Sequence, residues 1–535
     1  MPKRSPILLI LLLAACSDSG YQQRGSVQQE EQVVDFMDLS GTPSTADSAG
    51  PAQGVMYEAE APVPAAAEGR AWGIEQGTAR QRREQYAAID ENRFLEANRV
   101  PLSTFAIDVD AASYSNVRRF LTSGTLPPAD AVRIEELVNY FDYDYPDPAG
   151  QDPFSITTEV SAAPWNPAHR LVHVGLQGRR MSTERLPPSN LVFLVDVSGS
   201  MQSPDKLPLV QESLRMLTDQ LRRQDRVAIV LYAGEAGVAL PSTSGAEKAT
   251  IRRAIDAMYA GGSTNGAGGI TTAYETVRRN YVPGGNNRVI LATDGDFNVG
   301  VSSDAQLVRL IERERNDGIS LTVLGFGTGN YQDAKMEALA DHGNGNYAYI
   351  DDIGEARKAL VEEMAGTLHT LAKDVKVQVE FDAARVQSYR LIGYENRALA
   401  ARDFRDDRKD AGELGASHSV TALYEVVPRA GADGGELLTV RLRYKAPNGV
   451  HSRALSRVVP NRVTPAARAS DDFRFAAAVA EWGMLLRGSR FRGSASYDAV
   501  LARARSARGP DLQGHRAEFV QLVEASRRLG GTRGD

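Results

Sequence analysis

In Leu191-Val192-Phe193-Leu194-Val195-Asp196-Val197-Ser198-Gly199-Ser200, five apolar residues run without alternation into a loop of small oxygen-bearing side chains. A continuous apolar run predicts a strand buried on both faces, as in a parallel sheet covered by helices. Three more such runs follow, Val227–Tyr232, Val289–Ala292 and Leu321–Phe326, with a weaker fifth at Tyr347–Ile350. Between them lie helical patterns. Leu207, Val210, Leu214, Leu217 and Leu221 step by three and four onto one face. Leu307, Leu310 and Ile311 do the same, and Gly318 is placed to end their helix. Strand and helix in alternation predict a doubly wound, mostly parallel α/β domain of Rossmann-like architecture over residues 190–365. Its ligands are expected at the carboxyl ends of the strands.

Those ends carry the chemistry. The first strand delivers Asp196, Ser198 and Ser200, and the run Val289–Ala292 delivers Thr293-Asp294-Gly295-Asp296. Between them Gly261-Gly262-Ser263-Thr264-Asn265-Gly266 stands just before a helix. Asp196, Ser198, Ser200, Thr264 and Asp294 are all hard oxygen donors, which suits Mg²⁺ or another hard divalent ion and disfavours zinc. The 294–298 stretch is no EF-hand, because the required glycine falls at Val299 and the closing glutamate at Ala305. The glycine loop lacks the Gly-Lys-Ser/Thr ending of a phosphate-binding loop.

The pattern D-x-S-x-S after a strand, then a loop threonine, then a strand-end aspartate, resembles the metal-ion-dependent adhesion site (MIDAS) of von Willebrand factor type A (VWA) domains. The resemblance implies one divalent ion, Mg²⁺ or else Mn²⁺ or Ca²⁺, held by Asp196, Ser198, Ser200, Thr264 and Asp294. An ion that keeps an open coordination position would be filled by a carboxylate from a protein partner. The segment Thr104–Arg119, together with Arg133–Phe141, resembles the N-terminal region of bacterial YfbK-type lipoproteins with a VWA domain, and this likeness extends over nearly the whole chain beyond residue 90.

The flanks read differently. Phe154–Val160 and Arg170–Leu176 before the α/β core, and Val375–Phe381, Val420–Val427 and Leu437–Tyr444 after it, read as strands. The economical arrangement is one β-sandwich built from both flanks (153–189 and 366–465) with the VWA domain inserted between its strands. Residues 91–152 form a family-specific N-terminal region, with a short strand and then a helix that Asp110 or Ser113 would cap. Asp142-Tyr143-Asp144-Tyr145 reads as a solvated turn. Residues 466–535 read as helical, with Phe473, Ala477, Ala480 and Met484 on one face and Phe519, Leu522 and Val523 in a last helix. The last helix of the core is expected at about 355–371, where metal and ligand state could shift it.

The first residues read as an address. Lys3 and Arg4 precede an apolar stretch from Ile7 to Ala15, too short to span a bilayer and shaped like a secretory signal. Leu13-Ala14-Ala15-Cys16 resembles the bacterial lipobox, which implies removal of residues 1–15 and acylation of Cys16. Ser17 at the next position implies the outer membrane, with the protein facing the periplasm. Residues 16–90, rich in Gln, Glu, Ser, Ala and Pro, read as a disordered tether.

Composition narrows the function. The chain has 535 residues, 42% hydrophobic and 24% charged, with 61 Lys+Arg against 68 Asp+Glu and a formal charge of -7. So little imbalance argues against a nucleic-acid partner. A single cysteine excludes an intrachain disulfide framework and sulfur-ligated metal sites. His169, His173, His342, His369, His418, His451 and His515 are scattered, and neither H-E-x-x-H nor G-x-S-x-G occurs. The expectation is a binding protein rather than an enzyme. Two rivals are a metal-dependent hydrolase, with Asp296 as its base, and a passive scaffold with a vestigial metal site.

Overall fold

The computed structural model describes residues 84 and 86–531, apart from 108, 235, 263–265, 296–303, 330, 364–365, 367–368, 433 and 448. Cys16, the signal segment, nearly all of the tether, Asp108, Thr264 and Asp296 therefore lie outside the described residues.

The central sheet has six strands in the order Tyr347–Ile350, Ile319–Phe326, Asn286–Thr293, Ser189–Asp196, Arg226–Tyr232, Ala236–Ser244. All neighbours are parallel except the last pair. Every residue of Ser189–Asp196 is buried. Its side chains divide between two cores, as the pleat requires. Leu191, Phe193 and Val195 join Val210, Leu214 and Leu217 of the helix Leu207–Gln220. Val192 and Leu194 join Ile270, Ala273 and Val277 of the helix Gly266–Arg279. This two-sided burial is why the run lacks alternation. Gly318 (φ +85°) follows the helix Asp304–Asn316 in the left-handed conformation that closes it.

Two antiparallel sheets flank this domain. One runs Leu95–Glu96, Val386–Ile392, Ser419–Pro428, Asn166–Gly178, Phe154–Ala163; the other runs Ala398–Leu399, Leu102–Ala106, Thr370–Phe381, Glu436–Lys445, Ser452–Pro460. A shared core that includes Phe105, Val172, Val377, Tyr389, Val426 and Val440 lies between them. Strands from either side of the α/β domain pair directly, Asn166–Gly178 with Ser419–Pro428 and Leu102–Ala106 with Thr370–Phe381. The chain leaves the sandwich after Gly178 and returns to it at Thr370.

The expected boundary at 153 does not hold, because Leu95–Glu96 and Leu102–Ala106 are already sandwich strands; the helices between them and Phe154 share a third core with the helices after the sandwich. Tyr114, Tyr140 and Phe141 pack with Phe475, Trp482 and Phe519. These residues come from the helices Ala112–Thr122, Asp471–Arg487 and His515–Gly531 and from the end of Ile134–Asn139. A middle C-terminal helix, Tyr497–Ser506, adds to this layer. Buried arginines tie it to the α/β domain: Arg118 donates to Asp351 at 2.9 Å and Glu355 at 2.8 Å, and Arg133 binds Glu136 and Asp333. Among the described residues, no helix is long and apolar enough to cross a membrane.

Three local expectations are corrected. Asp110 and Ser113 do not cap the helix Ala112–Thr122. The Asp110 carboxylate accepts from the Tyr347 backbone N–H at 2.9 Å, and Ser113 donates to the Ala131 carbonyl at 2.7 Å. Tyr143 and Tyr145 are not in a solvated turn but buried, with only Asp142 and Asp144 exposed. The helix expected at 355–371 is shorter: an α-helical turn Ile353–Arg357 passes into a π-helical turn Lys358–Glu362, and a strand has begun by Thr370.

His173 lies within this buried aromatic layer. It is 2% exposed and hydrogen-bonds through Nε2 with the Tyr145 hydroxyl at 2.8 Å. Burial pushes its pKa down to about 4. The folded protein therefore keeps this imidazole neutral, whereas the unfolded chain takes up a proton near pH 6.5. Stability present above pH 6.5 should be lost progressively as pH falls to about 4, by up to about 3 kcal/mol from this group. Denaturant unfolding across that window should show a shallower pH slope in His173→Gln; equal slopes in both proteins would contradict the assignment.

Candidate metal centre

The strand Ser189–Asp196 ends with Asp196 fully buried, and its next neighbour in the sheet ends at Thr293, with Val195 facing Ala292. Because the pair is parallel, the loops carrying Asp196 and Asp294 emerge at the same edge, as expected for a ligand site in such a sheet. Asp196 Oδ1 accepts from the Ser198 backbone N–H at 2.8 Å, an Asx-type turn that folds the loop back over the strand end. The hydroxyls of Ser198 and Ser200 lie 3.0 Å apart. Buried Met201 anchors the far side of this turn, while Ser200 faces solvent.

The glycine loop is fastened to the same place. Gly261 N–H donates to the Val197 carbonyl at 2.7 Å, and Gly199 N–H donates to the Gly262 carbonyl at 3.2 Å. Gly262 takes φ +89°, a conformation that glycine adopts without steric cost. A Cβ on Gly269 would lie 2.8 Å from Tyr232 Cβ, so the helix that follows the loop sits close upon the strand ends. The flanks of Thr264 are thus at the site, and Thr264 itself lies outside the described residues.

Asp196 is electrostatically tense. Burial raises its carboxyl pKa to about 6, against the hydrogen bonds from Ser198, and the charge of Asp294 pushes in the same direction as burial. Its Oδ2 is shielded from water, and the buried Tyr232 hydroxyl on the neighbouring strand interacts with this carboxylate. A buried carboxylate is costly unless a cation or donor meets it.

Lys206 is the charged residue at this site that motif reading missed. Its ammonium donates to Asp294 Oδ2 at 2.8 Å, and both side chains are nearly inaccessible, 10% and 0% exposed. The stem lies on Gly327 (φ +72°), where a Cβ would clash with Lys206 Cγ. The available signal was a lysine directly before the helix Leu207–Gln220, where the helix dipole disfavours a cation unless an anion holds it.

The structure therefore brings Asp196, Ser198, Ser200 and Asp294 to one end of one sheet. No group of three or more His, Cys, Asp or Glu side chains with metal-binding geometry occurs among the described residues. The donor set is instead two carboxylates and serine hydroxyls, all hard oxygen ligands. That set, with the buried Asp196 carboxylate inside it, fits a hard divalent cation.

Comparison with known proteins agrees with the fold. Residues 190–363 match the family model "von Willebrand factor type A domain", residues 80–173 match "von Willebrand factor", and residues 366–529 match "Uncharacterized protein YfbK, C-terminal". "Uncharacterized protein YfbK" of Escherichia coli (strain K12) is 44% identical over 84% of this chain and 81% of its own length. Human "Inter-alpha-trypsin inhibitor heavy chain H3" is 26% identical over 41% of this chain and 25% of that protein. Among solved structures, a von Willebrand factor type A protein from Catenulispora acidiphila is 17% identical, with a TM-score of 0.41, over 71% of this chain and 91% of that one. The central domain is a VWA domain, a module of protein–protein adhesion and scaffolding that often binds a divalent metal. The chain belongs to the YfbK family of VWA proteins.

The two aspartates should respond oppositely to neutralisation in the presence of EDTA. At pH 7.5, Asp196→Asn removes a buried charge and should stabilise the fold by about 1–3 kcal/mol. Asp294→Asn leaves the Lys206 ammonium buried without its anion and should cost about 3–5 kcal/mol. Urea unfolding measures both; shifts of the same sign would contradict this description.

Proposed function

We propose that the protein is a cell-envelope lipoprotein whose VWA domain captures an acidic group of a protein partner through one divalent ion. What supports this reading is the buried Asp196 carboxylate, whose ionisation burial disfavours, beside a Ser198–Ser200 hydroxyl pair at a solvent-facing rim. Asp196, Ser198, Ser200 and Asp294 would hold the ion, with Thr264 as the fifth ligand by family resemblance. Mg²⁺ is the first candidate, with Mn²⁺ and Ca²⁺ as alternatives. When bound, the ion supplies a positive charge that a carboxylate from outside can share.

The chain's own residues do the rest. The Asx turn and the two backbone bonds to the glycine loop hold the serines in place. The fully packed strand beneath them excludes water from the inner side of the site. Acylation of Cys16 would hold the protein at the outer membrane, facing the periplasm, and the segment to about residue 90 would supply reach. Binding rather than catalysis is the role this arrangement serves. The passive-scaffold reading draws on the Lys206–Asp294 pair, in which a protein cation already neutralises one carboxylate.

Ser200→Ala is the cleanest test, because Ser200 is exposed and its hydroxyl bonds only to that of Ser198 among the hydrogen bonds of the described residues. Calorimetric titration of the wild type should show one Mn²⁺ or Mg²⁺ site, weakened about ten-fold or more in Ser200→Ala, equivalent to roughly 1.4 kcal/mol. Partner capture from envelope extract should be released by EDTA. Equal metal affinity in both proteins would reject the ligand assignment, and EDTA-indifferent capture would favour the scaffold.

Cys16→Ser should move the protein from the membrane fraction to the soluble fraction and abolish labelling by a fatty-acid analogue. Retention at the membrane without label would contradict the anchor.

A further inference from the structure

The ion pair between Lys206 and Asp294 is built in rather than incidental. The Lys206 backbone is fixed at both ends, its N–H donating to the Ser203 carbonyl at 3.0 Å and its carbonyl accepting from Val210 N–H at 2.9 Å. Its stem is trapped against Gly327, whose own carbonyl accepts from the buried Tyr349 hydroxyl at 2.8 Å. The Lys206 side chain is only 10% exposed. A cation entering the site would therefore share it with Lys206 rather than replace it.

Charge counting then gives Lys206 a role. Among the described residues, the two carboxylates of Asp196 and Asp294 and the Lys206 ammonium sum to a single net negative charge. A divalent ion would turn that into a single net positive charge, which one carboxylate from a partner neutralises. Without the ammonium, the loaded centre would carry one positive charge less and would attract an anion more weakly. Like charges in a shielded site repel far more strongly than in water, so the same ammonium must also weaken metal affinity.

We propose that Lys206 is a resident counter-cation that weakens divalent-ion binding and, in exchange, keeps the loaded centre cationic and selective for an anionic partner group. This rests on the metal-dependent reading above. It makes Lys206 a specificity-determining residue acting through Asp294.

The test is calorimetric titration of the full chain with Mn²⁺ alone, repeated in excess sodium acetate as a minimal carboxylate. Lys206→Met keeps the stem on Gly327 and removes the charge, Lys206→Arg keeps the charge, and Ser200→Ala removes a ligand. Lys206→Met should bind Mn²⁺ about ten-fold tighter than wild type or more. Acetate should tighten Mn²⁺ binding more in wild type and Lys206→Arg than in Lys206→Met, as reciprocal linkage demands. A merely structural lysine would give weaker binding in Lys206→Met, never tighter. If Lys206→Met does not fold, Lys206→Gln keeps the stem and a donor for Asp294 and carries the same expectation. Unchanged or weaker Mn²⁺ binding in the uncharged variant, with Ser200→Ala impaired as expected, overturns the role of Lys206 and leaves the metal centre standing. Absence of Mn²⁺ binding in every protein overturns both.

Discussion

The strand Ser189–Asp196 has no face turned to water, and the site depends on that constraint. A strand buried on both sides must sit between two parallel neighbours and beneath helices on each face, because its backbone groups and its side chains both need partners inside the protein. Parallel pairing then sends the loops after Asp196 and after Thr293 to the same edge. Packing thus decides where the carboxylates lie before any ligand is involved. The burial that fixes them is also what makes Asp196 costly to ionise and what makes a cation welcome beside it.

The surrounding layers hold this domain by more than two connections to the sandwich. Arg118 reaches from the N-terminal helix to Asp351 and Glu355, at the end of the sheet's edge strand and in the helix after it. Arg133 reaches to Asp333 at the start of the helix Asp333–His342. Such buried pairs contribute little net stability compared with apolar packing, but breaking one by removing a single partner is strongly destabilising. Asp110, bonded to the Tyr347 N–H, adds a carboxylate to the edge of the VWA sheet. The N-terminal region is therefore part of the VWA domain's support.

Much of this was legible in the sequence because it rests on periodicity and on loop chemistry. The five central apolar runs, the helix from Leu207 and the strand-end oxygens of Asp196, Ser198, Ser200 and Asp294 all declared themselves locally. Other features did not. Val386–Ile392 mixes Gln, Ser, Tyr and Arg with its apolar residues, since Arg390 is buried against Glu425, and so shows no clean alternation. Asp110 and Ser113 stand where caps stand, yet tertiary partners claim them. Tyr143 and Tyr145 alternate with aspartates like a surface turn, but their rings stack inside the helical layer. Lys206 carries no motif, because only the folded chain shows that its stem crosses Gly327 to reach Asp294.

Anomalous diffraction from crystals grown with Mn²⁺ addresses the centre most directly. One strong peak within bonding distance of the Ser198 and Ser200 hydroxyls, with Lys206 still on Asp294, is the expected result. A peak elsewhere, or an empty site in which both serines bond only to protein and water, would contradict the proposal that these side chains form a metal-dependent binding centre.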